Sequence, residues 1–81
     1  MFDITPAQTQ GSTTMFTVAL TNRTVTGYVT FFRDTEFAIV VVTEDEGNRV
    51  ALYRKHIKGA GQALVLHETL QSYMRDYPAA P

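Results

Sequence analysis

The chain has no cysteine, which limits how a domain of 81 residues can be stabilised. Disulfide bridges, thiolate zinc sites, iron–sulfur clusters and cysteine nucleophiles are all excluded. A chain this short buries only about 60% of the surface that its unfolded state exposes. Its stability therefore has to come from close packing or from association, and we expect one small domain that self-assembles.

The composition is that of a globular domain without a membrane anchor. Hydrophobic residues make up 44% of the chain and charged residues 19%. The longest apolar run, residues 37–42, is far shorter than the roughly 18 residues of a membrane helix. Residues 1–4 lack the basic and apolar stretch of a secretory signal, which predicts a cytoplasmic protein. A net charge of −1 provides no overall field that would attract nucleic acid.

Alternating apolar residues predict four consecutive antiparallel strands. The period is two at Phe16, Val18 and Leu20, which is typical of a half-buried strand. Gly27 interrupts the second strand and predicts a bend, a bulge or a close backbone approach. The third strand is apolar on both faces, which predicts a central strand covered on both sides. The predicted strands cover residues 15–20, 24–32, 37–43 and 49–55, and turns are predicted over 21–24, 33–36 and 44–48.

The two ends of the chain differ from this pattern. Residues 1–14 show no periodicity and predict an extended, partly mobile N-terminal arm. Residues 61–81 predict a C-terminal helix and tail, since 62–77 contain neither glycine nor proline. An alternative makes residues 63–66 a fifth strand and starts a shorter helix at Thr69. The apolar stripe of the longer helix would consist of Ala63, Leu66, Leu70, Tyr73, Met74 and Tyr77.

No motif for catalysis or metal binding is present. Asp34 and Glu36 lie two apart, but carboxylates in a turn are usually solvated or cap the backbone. His56 and His67 are eleven residues apart and have no clustered carboxylates beside them. Residues 59–61 contain two glycines but lack the Lys-Ser or Lys-Thr of a phosphate loop. The sequence therefore predicts a protein that is not an enzyme and carries no metal or cofactor.

A short basic segment, residues 53–58, is the strongest functional signal in the sequence. Four of its side chains are potential cations and one is aromatic: Arg54, Lys55, His56, Lys58 and Tyr53. Lysine and arginine bind phosphates, and flat rings stack against bases. The same composition also fits the solvated end of a basic strand, so residue types alone leave both interpretations open.

Two stretches resemble the Sm and LSm family. The first stretch resembles the first family motif through Leu20, Asn22, Gly27, Val29, Phe32, Asp34, Phe37 and Ile39. The second resembles the Tyr-Lys-His run of bacterial Hfq through Tyr53, Lys55, His56 and Ile57. An alternative register matches residues 57–59 to the Ile-Arg-Gly of archaeal and eukaryotic members. The family's base-binding asparagine corresponds to Ala38, and its stacking position to Glu36 or its neighbour.

This resemblance implies a fold and a function. It implies a mainly β fold, a strongly bent five-stranded antiparallel SH3-like barrel over residues 15–60. The fourth and fifth strands would pair with neighbouring subunits to close a homo-oligomeric ring that binds single-stranded RNA or DNA. Arg54, Lys55, His56 and Lys58 would contact phosphates and base edges, and Tyr53 and Phe37 would offer stacking surfaces. Asp34 would order the turn that carries Phe37.

A second function, from a different class, fits the same sequence. A small SH3-like barrel can serve as an assembly or adaptor module without binding nucleic acid. The apolar stripe of the helix would then dock a partner, and the basic segment would be solvated. Salt dependence separates the two, because binding through phosphate contacts weakens as salt is added.

Overall fold

The computed structural model of the chain describes residues 3–20, 23–32, 34, 36–44 and 48–78. The strands form one antiparallel sheet in the order β1-β2-β3-β4-β5, and a helix follows them. Most of the predicted turn residues, including Asn22 and Gly47, lie outside the described residues. The elements are β1 (Asp3–Gln10), β2 (Thr13–Leu20), β3 (Arg23–Phe32), β4 (Phe37–Glu44), β5 (Arg49–His56) and α1 (Gln62–Asp76).

The four strands predicted from period two are confirmed as β2 to β5, and the N-terminal segment adds a further strand. Residues 3–10 are extended, as expected of an arm, but they pair with β2 from Asp3 opposite Ala19 to Gln10 opposite Thr13. The register shifts between Pro6 and Gln8. Every described side chain of β1 is exposed except that of Ile4, which is half-buried. Because β1 is held by backbone pairing rather than by apolar side chains, its sequence lacks the alternation of apolar and polar residues that is typical of a strand.

The sheet is not closed into a barrel. β1 and β5 lie at the two ends of the strand order, and the described strands show no pairing between them. Residues 63–66 belong to α1, so the alternative prediction that they form a fifth strand is wrong. The fifth strand is therefore at the N-terminal edge, and a helix lies where the barrel prediction required a closing strand.

α1 covers one face of the sheet, here called the inner face. The helix buries Val65, Leu66, Thr69, Leu70 and Tyr73. The inner face contributes the buried side chains Phe16, Val18, Val25, Val29, Ala38, Val40, Val42 and Ala51. The helix prediction is confirmed over 62–76, but the buried stripe includes Val65 and excludes Ala63 and Tyr77, which are both exposed. Tyr77 follows the helix as its C-cap.

The opposite face of the sheet, here called the outer face, has no covering layer among the described residues. It consists of the odd-numbered residues of β2 and β4 and the even-numbered residues of β3 and β5. The β1 residues that pair with the odd-numbered residues of β2 also belong to it. Ile39 and Val41 on β4 are half-buried there. Within the described parts of the chain, the prediction that this strand is covered on both sides is therefore wrong, because α1 is the one described element that lies on the sheet.

Gly27 lies under the helix, where space is limited. A Cβ atom at this position would be 2.5 Å from Cδ1 of Leu66, which is closer than van der Waals contact allows. The prediction of a close approach at Gly27 is confirmed, and its cause is a buried leucine of α1 that packs on the bare backbone of β3.

A buried polar cluster fixes the C-terminal end of α1 to the sheet. Arg23 donates from Nε to Oε2 of Glu44 at 2.7 Å, and its second nitrogen bonds the other carboxylate oxygen. The hydroxyl of Tyr73 donates to Glu44 Oε1 at 2.6 Å. Arg23 Nη1 also donates to the backbone carbonyl of Tyr77 at 2.9 Å. One carboxylate thus connects β3, β4 and α1, and the arginine satisfies a carbonyl at the helix end.

The pairing shifts the proton affinities of the cluster. The hydrogen bond from Arg23 lowers the pKa of Glu44 below its ordinary value, and the bond from Tyr73 acts in the same direction. The hydrogen bond to Glu44 raises the pKa of Arg23. Burial, followed by the bond to Glu44, raises the pKa of Tyr73. At neutral pH the cluster is therefore a charged arginine–glutamate pair with a neutral phenol.

Leu70→Ala tests how tightly α1 packs on the sheet. Leu70 is fully buried, so its truncation should lower the free energy of unfolding by about 2–5 kcal/mol. Leu64→Ala is the matched control because Leu64 lies on the same helix and is 52% exposed. Urea unfolding followed by circular dichroism measures both variants. Equal midpoints for Leu70→Ala and the parent would contradict the packing described above.

Glu44→Gln tests the buried ion pair. A carboxyl whose pKa is lowered by folding contributes its stability above its unfolded-state pKa, about 4.3, and loses it as the pH falls through the folded-state pKa. The parent should therefore lose stability on acidification, and Glu44→Gln should lose less. At pH 7 the variant should be less stable by on the order of 3 kcal/mol, because Arg23 is left without its counter-charge. Exposed Glu68→Gln serves as the control, and thermal unfolding between pH 7 and pH 3 measures the difference.

Candidate nucleic-acid interface

The alternation of β5 divides the basic segment between the two faces of the sheet. Arg54 and His56 are exposed on the outer face, and Tyr53 and Lys55 are half-buried on the side of α1. The structure therefore does not bring the predicted cations together at one site. It pairs Arg54 with His56, two residues along the strand, and separates both from Lys55.

On the outer face, Arg54 and His56 surround the ring of Phe37. His56 is the direct neighbour of Phe37 across β4 and β5, and their ring centroids are 5.2 Å apart at an interplanar angle of 63°. Arg54 places its guanidinium carbon 4.0 Å from the centroid of the Phe37 ring. Nε2 of His56 is 3.7 Å from a carboxylate oxygen of Glu36. We call Phe37, Arg54 and His56 the outer cluster.

The outer cluster combines a fixed cation with flat surfaces. The Arg54 guanidinium lies over an aromatic ring, where a cation–π interaction holds it in place, and its side chain remains exposed. Guanidinium planes and aromatic rings are the groups on which unpaired bases stack. The cluster can therefore offer a phosphate contact and a stacking surface within one small area.

On the inner side, Tyr53 and Lys55 are engaged with the helix. Tyr53 donates its hydroxyl to Oδ2 of Asp76 at 3.3 Å. Burial, and then the Asp76 carboxylate, raise the pKa of Tyr53 to about 12. Nζ of Lys55 is 3.4 Å from Oγ of Ser72 and 5.8 Å from the Tyr53 ring centroid. These contacts place both side chains in the packing between β5 and α1, away from the outer cluster.

The remaining predicted residues lie in turns or in the core. Lys58 and Asp34 are both exposed, Lys58 with a positive φ of 39° in the turn after β5. Asp34 lies between β3 and β4, and its neighbours at 33 and 35 are outside the described residues. Ala38, which corresponds to the family's base-binding asparagine, is fully buried on the inner face. A base on the outer face would therefore have to be bound by other side chains.

Two further aromatic residues lie on the outer face, and the site prediction missed them. Tyr28 is 37% exposed and Phe32 is 48% exposed, both on β3. Phe32 is the direct neighbour of Phe37 across β3 and β4. The alternation of the predicted second strand already placed Tyr28 and Phe32 on one face, and that face is the one that α1 leaves uncovered.

A shallow depression of about 280 Å³ lies next to Tyr28. It is lined by Gln8, Gln10, Thr13, Met15 and Tyr28, so two amides, a hydroxyl and an aromatic edge surround it. The Thr13 hydroxyl is hydrogen-bonded to that of Thr30 at 2.7 Å. Sequence reasoning could not find this depression, because it assigned both glutamines to an unpaired arm.

The outer face has a distinct charge pattern. In the described strands β2 to β5, its positions carry threonine, apolar and aromatic residues and the basic side chains Arg54 and His56, with no aspartate or glutamate. Glu36 lies at the margin of this face, 3.7 Å from His56. The permanent charge on these four strands of the outer face is therefore the positive charge of Arg54, although the whole chain has a net charge of −1.

The described residues form neither a metal site nor a membrane-spanning helix. No group of three His, Asp or Glu side chains that could hold a metal ion occurs within the described parts of the chain. α1 is too short and too polar to cross a membrane, and no other helix is found among the described residues.

Comparison with protein-family models gives no match, and comparisons with curated proteins and with solved structures give no significant match either. The resemblance to the Sm and LSm family therefore stays a prediction. Function has to be inferred from the chemistry of the outer face and of the strand edges.

Proposed function

We propose that this chain is a non-catalytic module that binds single-stranded nucleic acid, RNA in the first place, on its outer face. The observation that carries the proposal is the outer cluster, in which Arg54 and His56 flank Phe37. The exposed rings of Tyr28 and Phe32 extend this surface along β3. Aromatic and guanidinium planes on an open sheet are the usual means of binding unstacked bases.

The arrangement favours a single strand over a duplex. Tyr28 and Phe32 are four residues apart on one strand, a separation of about 13 Å along the sheet. Bases of a flexible single strand can reach such separate surfaces, whereas the paired bases of a duplex are stacked on one another and cannot. The uncharged threonine and glutamine side chains around the rings can hydrogen-bond base edges or sugars without repelling phosphates.

The two basic side chains on the outer face, Arg54 and His56, imply a modest salt dependence of binding. If Arg54 and His56 each neutralise one phosphate at most, the logarithm of the binding constant should fall with the logarithm of salt concentration with a slope of about −0.7 to −1.4. This is at most half of the slope of about −2.8 that the four clustered cations predicted from the sequence would give. Stacking then accounts for most of the affinity, and binding should vary little with sequence.

The Sm-like assignment is part of the same proposal. It is supported by the order of β2 to β5, by Gly27 in a strand of ten residues and by the basic end of β5. α1 replaces the fifth strand that the family ring uses for closure. If the chain is Sm-like, it binds and assembles through surfaces that differ from those of the family pattern.

The double variant Arg54→Ala with His56→Ala tests the outer cluster. Its affinity for a fluorescein-labelled single-stranded RNA should fall at least tenfold in fluorescence anisotropy at low salt, because a charged contact and a stacking plane are both removed. Lys55→Ala is the matched control, since Lys55 is an adjacent cation of the same strand on the opposite face. A larger loss in Lys55→Ala than in the double variant would place binding on the inner side and contradict the proposal.

Tyr28→Ala tests stacking separately from charge. Loss of one stacking ring should reduce affinity by about 1–3 kcal/mol, or roughly fivefold to more than a hundredfold, and should leave the salt slope unchanged. A single-stranded DNA of the same sequence and the corresponding duplex RNA are measured in parallel. Equal binding of the duplex, or unchanged affinity in Tyr28→Ala, would contradict stacking on the outer face.

One observation favours the alternative function, a protein-assembly module. Val50 and Leu52 on β5 are 73% and 67% exposed, which is unusual for large apolar side chains next to one another on a strand. Absence of RNA and DNA binding by the parent at low salt would favour this alternative. The exposed pair does not oppose nucleic-acid binding, because it lies beside the outer cluster rather than within it.

A further inference from the structure

β5 presents an open row of backbone groups at the edge of the sheet. Ile57, directly after β5, donates its N–H to the carbonyl of Glu36 at 2.9 Å, in register with the ladder between β4 and β5. Because hydrogen-bonded pairs alternate along an antiparallel ladder, the odd-numbered residues of β5 bond to β4. The N–H and C=O groups of the even-numbered residues Val50, Leu52, Arg54 and His56 point to the open side. No described strand pairs with this row, and a row of this kind is a template for another strand.

The opposite edge of the sheet is protected against pairing. β1 contains Pro6, which lacks an N–H donor, and its register with β2 shifts between Pro6 and Gln8. Proline and bulges are the features that natural sheets use to prevent pairing at an edge. β5 has neither feature, and its register with β4 runs without a shift from Arg49 to His56. The two edges therefore do not suit a head-to-tail ring in which β5 of one copy would pair with β1 of the next.

The cations of β5 do not block its edge. Arg54 folds over Phe37, and Arg49 places its guanidinium carbon 4.4 Å from the ring centroid of Tyr77. Lys55 reaches Ser72 on the helix. Each of these side chains thus lies against its own subunit, above or below the sheet, and leaves the backbone edge accessible between Val50 and His56.

We propose that β5 pairs antiparallel with β5 of a second copy of this chain, about a two-fold axis that passes beside Ala51. This register sets Val50 opposite Leu52 of the partner subunit, so that the two most exposed large apolar side chains cover each other. Both residues point their backbone groups to the open side, as a hydrogen-bonded pair requires. A dimer of this kind is isologous, because the same strand is used by both copies.

Neighbouring registers fit less well. A two-fold axis beside Leu52 would set Arg49 opposite Lys55 of the partner subunit, which brings like charges together. An axis beside Tyr53 would set Leu52 opposite Arg54 of the partner subunit and leave the apolar pair apart. The axis beside Ala51 sets Arg49 opposite Tyr53 of the partner subunit and joins two five-stranded sheets into one of ten strands. Both outer clusters then lie on the same side of the joined sheet.

The parent protein should be a dimer, with twice the 9.1-kDa mass of one chain. Sedimentation velocity and light scattering at micromolar concentration, without nucleic acid, measure this mass. The double variant Val50→Glu with Leu52→Glu should be monomeric, because it sets carboxylates opposite each other across the axis. Leu64→Glu is the matched control, since it removes an exposed leucine from α1 instead of β5, and it should stay dimeric.

Leu52→Pro tests the backbone edge. It removes an N–H donor of the open edge but none of the ladder with β4, so this variant should also be monomeric. Circular dichroism verifies that each variant is folded.

Ala51→Cys tests the register in a chain that has no other cysteine. The two Ala51 residues would form a non-hydrogen-bonded pair with Cα atoms about 4.5 Å apart, a separation that a disulfide accepts. Mild oxidation should therefore give a covalent dimer, whereas Thr17→Cys on β2 should not.

Four results would each overturn the proposal: a monomeric parent, a mass above two copies, a dimeric glutamate variant, or an Ala51→Cys protein that does not cross-link. Because nucleic acid is absent from these measurements, their outcome is independent of the binding proposed above.

Discussion

Among the described residues the sheet has a single helix to cover it, so one of its two faces is buried and the other is left open. α1 lies on the inner face, where Leu66 packs on the bare backbone of Gly27 and Tyr73 reaches the carboxylate of Glu44. That carboxylate is held by Arg23, which also bonds the carbonyl of Tyr77 at the helix end. The position of the helix is thus fixed by one close approach and one buried ion pair. In a chain without cysteine, these contacts take the place of covalent cross-links.

The open face and the open edge follow from the same constraint. Because strand side chains alternate, the residues of β5 that face away from α1 are Val50, Leu52, Arg54 and His56. The first two are apolar and lie next to an unpaired edge, and the last two flank Phe37. One strand therefore carries the surfaces for both proposals, self-association in its N-terminal half and nucleic-acid binding in its C-terminal half. A two-fold dimer through β5 would present both binding surfaces on one side of a continuous sheet.

Local pattern in the sequence predicted β2 to β5 and α1. The strands β2 and β3 alternate with period two, β4 is a continuous apolar run between turn signals, β5 follows a strong turn signal, and α1 has an apolar stripe of helical period. β1 could not be found in this way, because Pro6, Gln8 and their neighbours pair through the backbone and are exposed on both sides. The pair of Arg23 and Glu44 is 21 residues apart in the chain and has no local signature. The site prediction grouped four neighbouring residues of β5, and period two alone separates Arg54 and His56 from Tyr53 and Lys55. The alternation could not indicate which of the two faces of the sheet α1 would cover.

Chemical-shift mapping of isotope-labelled protein, titrated with a short single-stranded RNA, tests the use of the outer face most directly. We expect the shifts to concentrate on Tyr28, Phe37, Arg54 and His56 and on their outer-face neighbours, whereas Lys55, Ser72 and the rest of the contact between β5 and α1 should change little. Shifts that centre on Lys55, Lys58 and α1, or no shifts at all at low salt, would contradict binding on the outer face.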